Sequence, residues 1–191
     1  MPSVRRRTLL GSLVLLLGIV SGRHEALARD TDKSWEFGAY LPVSRYAAAT
    51  NMDVGTGFGV RGGYHLKAIH LIEGSFDSVS ADHVKVSGIK FDVNKFNVDY
   101  VRVFFVKGHD KMTPFASFGV GSINVDNGTD KGNSTGYRVG GGFKFFFHPR
   151  VGFRFDVKVY RWHGDGSVLE GRSFFAADAT LGATFLVGGA K

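Results

Sequence analysis

The sequence contains no cysteine, which excludes a disulfide-stapled scaffold, a cysteine nucleophile and a thiolate metal site. It also lacks the Gly-X-Y period of collagen, although its 27 glycines are about twice the usual share. Its 18 phenylalanines argue against intrinsic disorder, because disordered chains contain few aromatic residues. A chain of 191 residues has the length of about one domain. The composition therefore indicates one glycine- and aromatic-rich domain and favours β-structure.

The first 28 residues are predicted to be a cleaved signal peptide, followed by one domain over residues 29–191. Arg5, Arg6 and Arg7 form a basic segment, and an apolar stretch follows over residues 8–20. Residues 26–28 have the A-x-A pattern of a signal-peptidase site. The apolar stretch is shorter than the roughly 20 residues of a membrane helix, which disfavours the alternative of a retained anchor. We expect the chain to be exported from the cytoplasm.

After the leader, the sequence lacks any run of lysine or arginine, so no nucleic-acid partner is expected. It also lacks a sustained helical period and a second apolar run of membrane-helix length. Alternation between apolar and polar residues with a period of two dominates instead, as in β-strands. This alternation predicts eight strands, over residues 35–43, 57–66, 69–79, 91–106, 115–125, 137–147, 151–162 and 175–187.

The strand over residues 151–162 has the clearest pattern. Phe153 and Phe155 fall on one face, and Arg154 falls on the other. In the strand over residues 91–106, the apolar residues change face between Val93 and Phe96. That change predicts either a β-bulge or a strand that protrudes beyond the rest of the sheet.

The connections between these strands alternate in length. The long ones cover residues 47–54, 80–90, 126–134 and 163–172, and the short ones cover residues 67–68 and 148–150. Residues 107–113 are an exception, because that connection is long for a turn. Alternating lengths are typical of an up-and-down barrel with loops on one rim and tight turns on the other. We therefore predict an all-β fold, an eight-stranded antiparallel up-and-down transmembrane β-barrel with its short turns in the periplasm.

Charges of both signs on the polar face favour a membrane barrel over a soluble one. An eight-stranded barrel is only wide enough inside for side chains, and opposite charges can pair there. Glycines on the same face leave room for long charged side chains. The predicted interior charge network, with a structural role, consists of Glu36, Arg61, Glu73, Asp77, Arg138, Lys144, Arg154, Asp156, Lys158 and Asp178. The alternative is a soluble periplasmic lipocalin-like barrel that binds a hydrophobic ligand in an apolar lumen.

Aromatic residues gather near the predicted strand ends, where a membrane barrel carries interfacial girdles. We predict girdle positions at Trp35, Tyr46, Tyr64, Phe147, Tyr160, Trp162 and Phe174.

Five segments resemble the eight-stranded outer-membrane β-barrel domain family, the OmpA/OmpX-like group. They are Gly59-Val-Arg-Gly-Gly-Tyr64, Leu71-Ile-Glu-Gly-Ser-Phe-Asp77, Pro114-Phe-Ala-Ser-Phe-Gly-Val-Gly121, Gly136-Tyr-Arg-Val-Gly-Gly-Gly-Phe143 and Gly152-Phe-Arg-Phe-Asp156. The resemblance implies a monomer in the outer membrane, inserted by the barrel-assembly machinery and in contact with lipid and lipopolysaccharide. It also implies a structural, envelope or surface-interaction role carried by the four long loops. Some small barrels of this type modify lipid A, which leaves a lipid A-modifying enzyme as a second alternative.

We expect no catalytic site, cofactor or metal. His163, Asp165 and Ser167 are the best local set for acyl transfer, but ordinary loop composition explains them equally well. Residues 126–130 resemble part of a calcium loop but lack its remaining ligands, and Asn127-Gly128 is a favourable turn pair. The three glycines at 140–142 precede no helix, so they are not expected to bind phosphate.

Overall fold

The computed structural model describes residues 31–47, 50–84, 86, 90–106, 111–128, 131–165 and 173–188. The predicted signal peptide lies outside these residues. The elements are eight strands: β1 (Ser34–Tyr46), β2 (Gly55–Lys67), β3 (His70–Asp82), β4 (Lys90–Val103), β5 (Met112–Asp126), β6 (Lys131–His148), β7 (Val151–Asp165) and β8 (Ser173–Gly188). In the part of the chain that the structure describes, no helix has the length and apolar character needed to cross a bilayer.

The eight strands form one closed antiparallel barrel. Each strand pairs with its neighbour in the chain, and β1 closes the sheet by pairing with β8 over thirteen residue pairs, from Ser34 to Tyr46 on β1. Closure leaves no unpaired sheet edge. All eight predicted strands are confirmed. Most extend beyond their predicted ends, but β4 ends at Val103 and not at residue 106 as predicted.

The two ends of the barrel differ in their connections. One end, here called the loop rim, carries connections 47–54, 83–89, 127–130 and 166–172. The other end, the turn rim, carries connections 68–69, 104–111 and 149–150. The prediction of a long loop over residues 126–134 is wrong, because β5 and β6 continue to pair as far as Asp126 and Lys131. Their side chains also form an ion pair with a 3.1 Å separation between Lys131 Nζ and Asp126 Oδ2.

An apolar belt surrounds the barrel. Its outward side chains are large, apolar and exposed. A membrane barrel needs such side chains where it faces hydrocarbon, whereas soluble proteins rarely expose so large an apolar area to water. The belt includes Phe37, Leu41, Phe58, Val60, Ile72, Phe76, Phe96, Val98, Phe118, Val120, Tyr137, Val139, Phe143, Phe153, Val157, Leu181 and Phe185. This outward arrangement contradicts the alternative of a soluble lipocalin-like barrel.

The strands reach beyond the belt at the loop rim. They are 13 to 18 residues long, whereas about 9–11 residues cross a bilayer. In β4, Val93 is fully buried inside the barrel and Phe96 is 58% exposed outside it. Neither neighbouring strand shifts register along β4, so the predicted change of face reflects a protruding strand and not a bulge. Above the belt the pattern inverts, with apolar side chains inside and polar ones outside.

This inversion corrects the predicted aromatic girdles. Trp35 and Phe147 lie on the outer wall, more than half exposed, and Tyr64 packs against Trp35 with ring centroids 5.0 Å apart. These three residues lie near the turn rim. The prediction is wrong for Tyr46, Tyr160, Trp162 and Phe174, which are buried inside the barrel. They lie towards the loop rim, where inward positions are shielded from solvent and accept apolar side chains.

Candidate functional site: the charged layer inside the barrel

All ten residues of the predicted charge network lie inside the barrel, and none is more than 5% exposed. The structure adds Lys95 and Asp99, which are buried to the same degree. We call these twelve residues the charged layer. Its cations are Arg61, Lys95, Arg138, Lys144, Arg154 and Lys158, and its anions are Glu36, Glu73, Asp77, Asp99, Asp156 and Asp178. The formal charges of the layer therefore cancel.

Arg154, on β7, lies at the centre of the charged layer and is completely buried. Its Nη1 and Nη2 donate to the two carboxylate oxygens of Glu73 as a fork, the second at 3.1 Å. Its Nε donates to Asp156 at 3.0 Å, and its Nη1 lies 3.5 Å from a carboxylate oxygen of Glu36. The guanidinium carbon lies 4.4 Å from the ring centroid of Phe115, so an aromatic face covers it. One arginine thus connects carboxylates from three different strands.

Glu36, on β1, gathers partners from three further strands. Its Oε2 accepts a hydrogen bond from Lys144 Nζ at 2.5 Å and lies 2.9 Å from His65 Nε2. Its Oε1 accepts from Thr184 Oγ1 at 2.8 Å. Both carboxylate oxygens are therefore satisfied, as burial demands.

A second group forms around Asp99, on β4. Arg138 donates to both carboxylate oxygens, with Nε at 2.6 Å from Oδ1, and Lys158 Nζ donates at 3.0 Å. The same arginine donates to Tyr160 Oη and to Ser75 Oγ, each at 3.1 Å. Asp99 thereby separates two cations that would otherwise repel each other.

Of the four remaining charges, Arg61 donates to Asp156 beside Arg154, and the other three lie closer to the loop rim. Lys95 Nζ donates to Asp178 at 2.5 Å and to Ser44 Oγ at 2.9 Å. Asp77 accepts a hydrogen bond from the hydroxyl of Tyr40. These contacts extend the charged layer across the full width of the lumen.

Glycines on the inner wall make room for these side chains. A Cβ added to Gly119 would lie 2.1 Å from Asp99 Oδ1 and 2.2 Å from the carbonyl oxygen of Val98. A Cβ added to Gly59 would lie 2.4 Å from the ring of Tyr40 and 2.6 Å from Asp77 Oδ1. Any larger residue at these two positions would displace a charged group from its partner.

Apolar layers close the lumen on both sides of the charged layer. Towards the loop rim the layer contains Tyr46, Met52, Val79, Ala81, Phe91, Val93, Ile123, Val125, Tyr160, Trp162, Phe174 and Ala176. Towards the turn rim it contains Leu71, Val101, Val103 and Phe115, with Phe105 packed against them. A cavity of about 20 Å³ adjoins Glu36, His65 and Lys144. That volume holds little more than one water molecule.

Lys95 and Asp99 were missed at the sequence level because the apolar residues of β4 change face. The pairing of β4 with β3 identifies Lys95 and Asp99 as interior charges. Asp77 pairs with Lys95 and Glu73 pairs with Asp99 across β3 and β4, so an inward residue on β3 places its partner on β4 inward too.

The other candidate chemistries remain weak. His163 Nδ1 lies 3.1 Å from Ser173 Oγ, whereas Ser167 lies outside the described residues. Asp126 Oδ1 accepts a hydrogen bond from the backbone N–H of Gly128 at 2.8 Å, as in a turn, and Gly128 has a φ of 83°. Within the described ranges, no group of three or more histidine, aspartate or glutamate side chains is placed to hold a metal ion. The glycines at 140–142 lie within strand β6.

A closed eight-stranded barrel with an apolar outer belt and a charged interior defines a small outer-membrane barrel protein. The chain matches the family described as "Outer membrane protein beta-barrel domain" over residues 12–181, and it belongs to that family. It therefore resides in the outer membrane, which places the turn rim in the periplasm and the loop rim outside the cell. No curated protein matches the sequence significantly.

Solved structures with the same fold include three bacterial barrels. OprG of Pseudomonas aeruginosa is 10% identical with a TM-score of 0.58, over 85% of this chain and 99% of that one. The N-terminal barrel domain of P. aeruginosa OprF is 19% identical with a TM-score of 0.53, over 81% and 98%. Ail, the attachment invasion locus protein of Yersinia pestis, is 17% identical with a TM-score of 0.51, over 82% and 99%. At these identities the similarity establishes the fold alone.

Proposed function

We propose that the chain is a sealed, non-catalytic structural barrel of the outer membrane that anchors four connections outside the cell. The observation that supports this proposal is the filling of the lumen. A charge-balanced layer lies between two apolar layers, and the interior of an eight-stranded barrel accommodates side chains but no aqueous channel. A filled lumen favours a structural role over transport through the barrel.

Conductance tests the sealed lumen. The folded protein is inserted into a planar lipid bilayer at a known copy number, and single-channel steps are recorded in about 1 M salt. At this ionic strength electrostatic barriers to ions are screened, so steric blockage of the lumen is the main barrier to ion flow. We expect no reproducible steps. Regular steps that scale with the amount of inserted barrel would contradict the proposal.

Lipid A analysis tests the absence of catalysis. Mass spectra of lipid A are compared between cells with and without the chain, since a lipid-modifying enzyme changes the acyl or headgroup mass. We expect identical spectra. A mass difference that depends on the chain would support the alternative of a lipid A-modifying enzyme.

We place any contact beyond the membrane in the four connections at the loop rim, residues 47–54, 83–89, 127–130 and 166–172. Exposed loops on a rigid barrel are the usual carriers of surface activity. Complementation of a deletion strain separates this role from a purely structural one. A variant with short glycine-serine connections that restores detergent resistance supports the structural role. Failure of that variant, despite normal folding and amount, would assign the role to the loops.

We also propose that the barrel-assembly machinery inserts the chain and that the inserted chain is a monomer. The closed sheet supports a monomer, because it offers no edge strand for pairing with a second copy. Mass measurement by light scattering in detergent, with the detergent contribution subtracted, would show one chain per particle.

A further inference from the structure

His65, on β2, lies inside the barrel at the turn-rim end of the charged layer and is 2% exposed. Its two ring nitrogens differ in their partners. Nε2 lies 2.9 Å from Glu36 Oε2, whereas Nδ1 has no hydrogen-bond partner among the residues that the structure describes. A buried ring nitrogen without a partner is costly, so Nδ1 needs a further group to bind.

Charge balance indicates which ring nitrogen carries the proton. The formal charges of the charged layer already cancel without His65. A protonated His65 would add a positive charge at Glu36, which already has Lys144 at 2.5 Å and Arg154 at 3.5 Å. A neutral ring keeps the balance. Because a carboxylate only accepts hydrogen bonds, the single proton of a neutral ring lies on Nε2, and Nδ1 is then an acceptor.

A small cavity adjoins this histidine. Its volume is about 20 Å³, which is enough for one water molecule and for nothing larger. The polar residues that line it are Thr31, Glu36, His65, Thr113 and Lys144, and the apolar ones are Ala68, Val103, Phe105, Phe146 and Leu186. The polar groups are therefore the ones that an occupant can bind.

The polar groups of the cavity match the hydrogen bonds of one water molecule. The ammonium group of Lys144 has three donors, and Glu36 accepts one of them. Thr113 is Lys144's direct neighbour in register across β5 and β6, and its hydroxyl can accept. Together with His65 Nδ1, these groups supply one donor and two acceptors, and a buried water typically makes about three hydrogen bonds.

The charges around the cavity disfavour an ion as its occupant. A cation would lie against Lys144, and an anion would lie against Glu36. A neutral molecule avoids both repulsions, and the volume restricts that molecule to water.

We propose that this cavity binds one water molecule. The water donates to His65 Nδ1 and to Thr113 Oγ1, and it accepts a hydrogen bond from Lys144 Nζ. It thereby holds the Nε2–H tautomer of His65 towards Glu36 and completes the charged layer at its periplasmic end. His65 is then a neutral positioning residue for Glu36. The inference rests on the closed barrel and not on the proposed function, so each can fail separately.

NMR on the full folded chain in detergent micelles tests the proposal. Long-range correlations between ring protons and ring nitrogens distinguish the two neutral tautomers from the doubly protonated ring. The His65 signals are assigned by their loss in His65→Gln, whose folding is checked by heat-modifiable gel migration. We expect the Nε2–H tautomer and cross-relaxation between a bound water and His65 Hε1, the ring proton beside Nδ1. The Nδ1–H tautomer, a doubly protonated ring or the absence of the water contact would overturn the proposal.

Thr113→Val tests the water site by a second route, because it removes a hydroxyl with little change in volume. We expect the water contact to His65 to be lost and the folding equilibrium constant, measured by urea unfolding in vesicles, to fall about tenfold. Thr56→Val, at an exposed position on the outer wall of β2, is the matched control and should change that constant by no more than about twofold. An unchanged water contact in Thr113→Val, with equal stability of the two variants, would contradict the proposed site.

Discussion

Replacing Arg154 with methionine perturbs the centre of the charged layer. Methionine keeps much of the side-chain length but removes the charge and the donors. Glu73 therefore loses its fork, and Lys158, at 3.9 Å, is the one ion-pair partner that it keeps among the residues the structure describes. Asp156 and Glu36 keep other partners, Arg61 and Lys144 respectively. The main cost is therefore one uncompensated buried carboxylate, which typically destabilises a protein by about 3–5 kcal/mol. That cost lowers the folding equilibrium constant by more than about a hundredfold.

Urea unfolding in phospholipid vesicles measures this effect, with folded and unfolded forms separated by heat-modifiable gel migration. Arg45→Met is the matched control, because the same chemical change on the outer wall should cost no more than about 0.5 kcal/mol. Glu73→Gln in the Arg154→Met background should recover part of the loss, with a coupling energy of about 2 kcal/mol. If Arg154→Met and Arg45→Met destabilise equally, the lumen is hydrated and our account of the charged layer is wrong.

Two further substitutions test the packing of the lumen by the same unfolding measurement. Gly119→Ala should destabilise the barrel by about 1–3 kcal/mol, because the added Cβ would collide with Asp99 and the backbone. Gly62→Ala is the control, because the atom nearest to its added Cβ is 3.4 Å away. Equal destabilisation by the two substitutions would refute the steric argument. Ile123→Ala, in the apolar layer near the loop rim, should cost about 2–5 kcal/mol. Lipid-facing Val120→Ala should cost less, and the reverse order would place Ile123 outside the core.

The sequence alone predicts the strands well, because alternation is a local property of the chain. In β7, Phe153, Val157 and Val159 are exposed on the outer face, Phe155 between them is partly exposed, and the alternate residues Arg154, Asp156 and Lys158 are buried, as the pattern indicates. The ten predicted interior charges are inside for the same reason. The pairing of particular charges, such as Arg154 with Glu73, depends on residues 81 positions apart and could not be read from alternation.

The errors have one physical origin. Alternation separates the two faces of a strand, but it does not show whether a given stretch of each face lies against lipid, water or the barrel interior. Within the membrane the outer face of the barrel is apolar, and beyond it the outer face is polar. The pattern therefore predicts girdle positions for Trp162 and Tyr160, although both side chains are buried. The pattern also fails to identify Lys95 as an interior charge, because Phe91 and Val93 lie on the same face of β4 and make that face read as apolar. Only the full register of the closed sheet shows where the membrane ends.

The inside-out arrangement of β7 can be measured directly by NMR in detergent micelles. Cross-relaxation between detergent acyl protons and side-chain protons reports which residues touch the apolar phase. Our account predicts strong transfer to Phe153, Phe155 and Val157, and none to Arg154 and Asp156. Transfer to Arg154 and Asp156, with the two phenylalanines shielded, would contradict it.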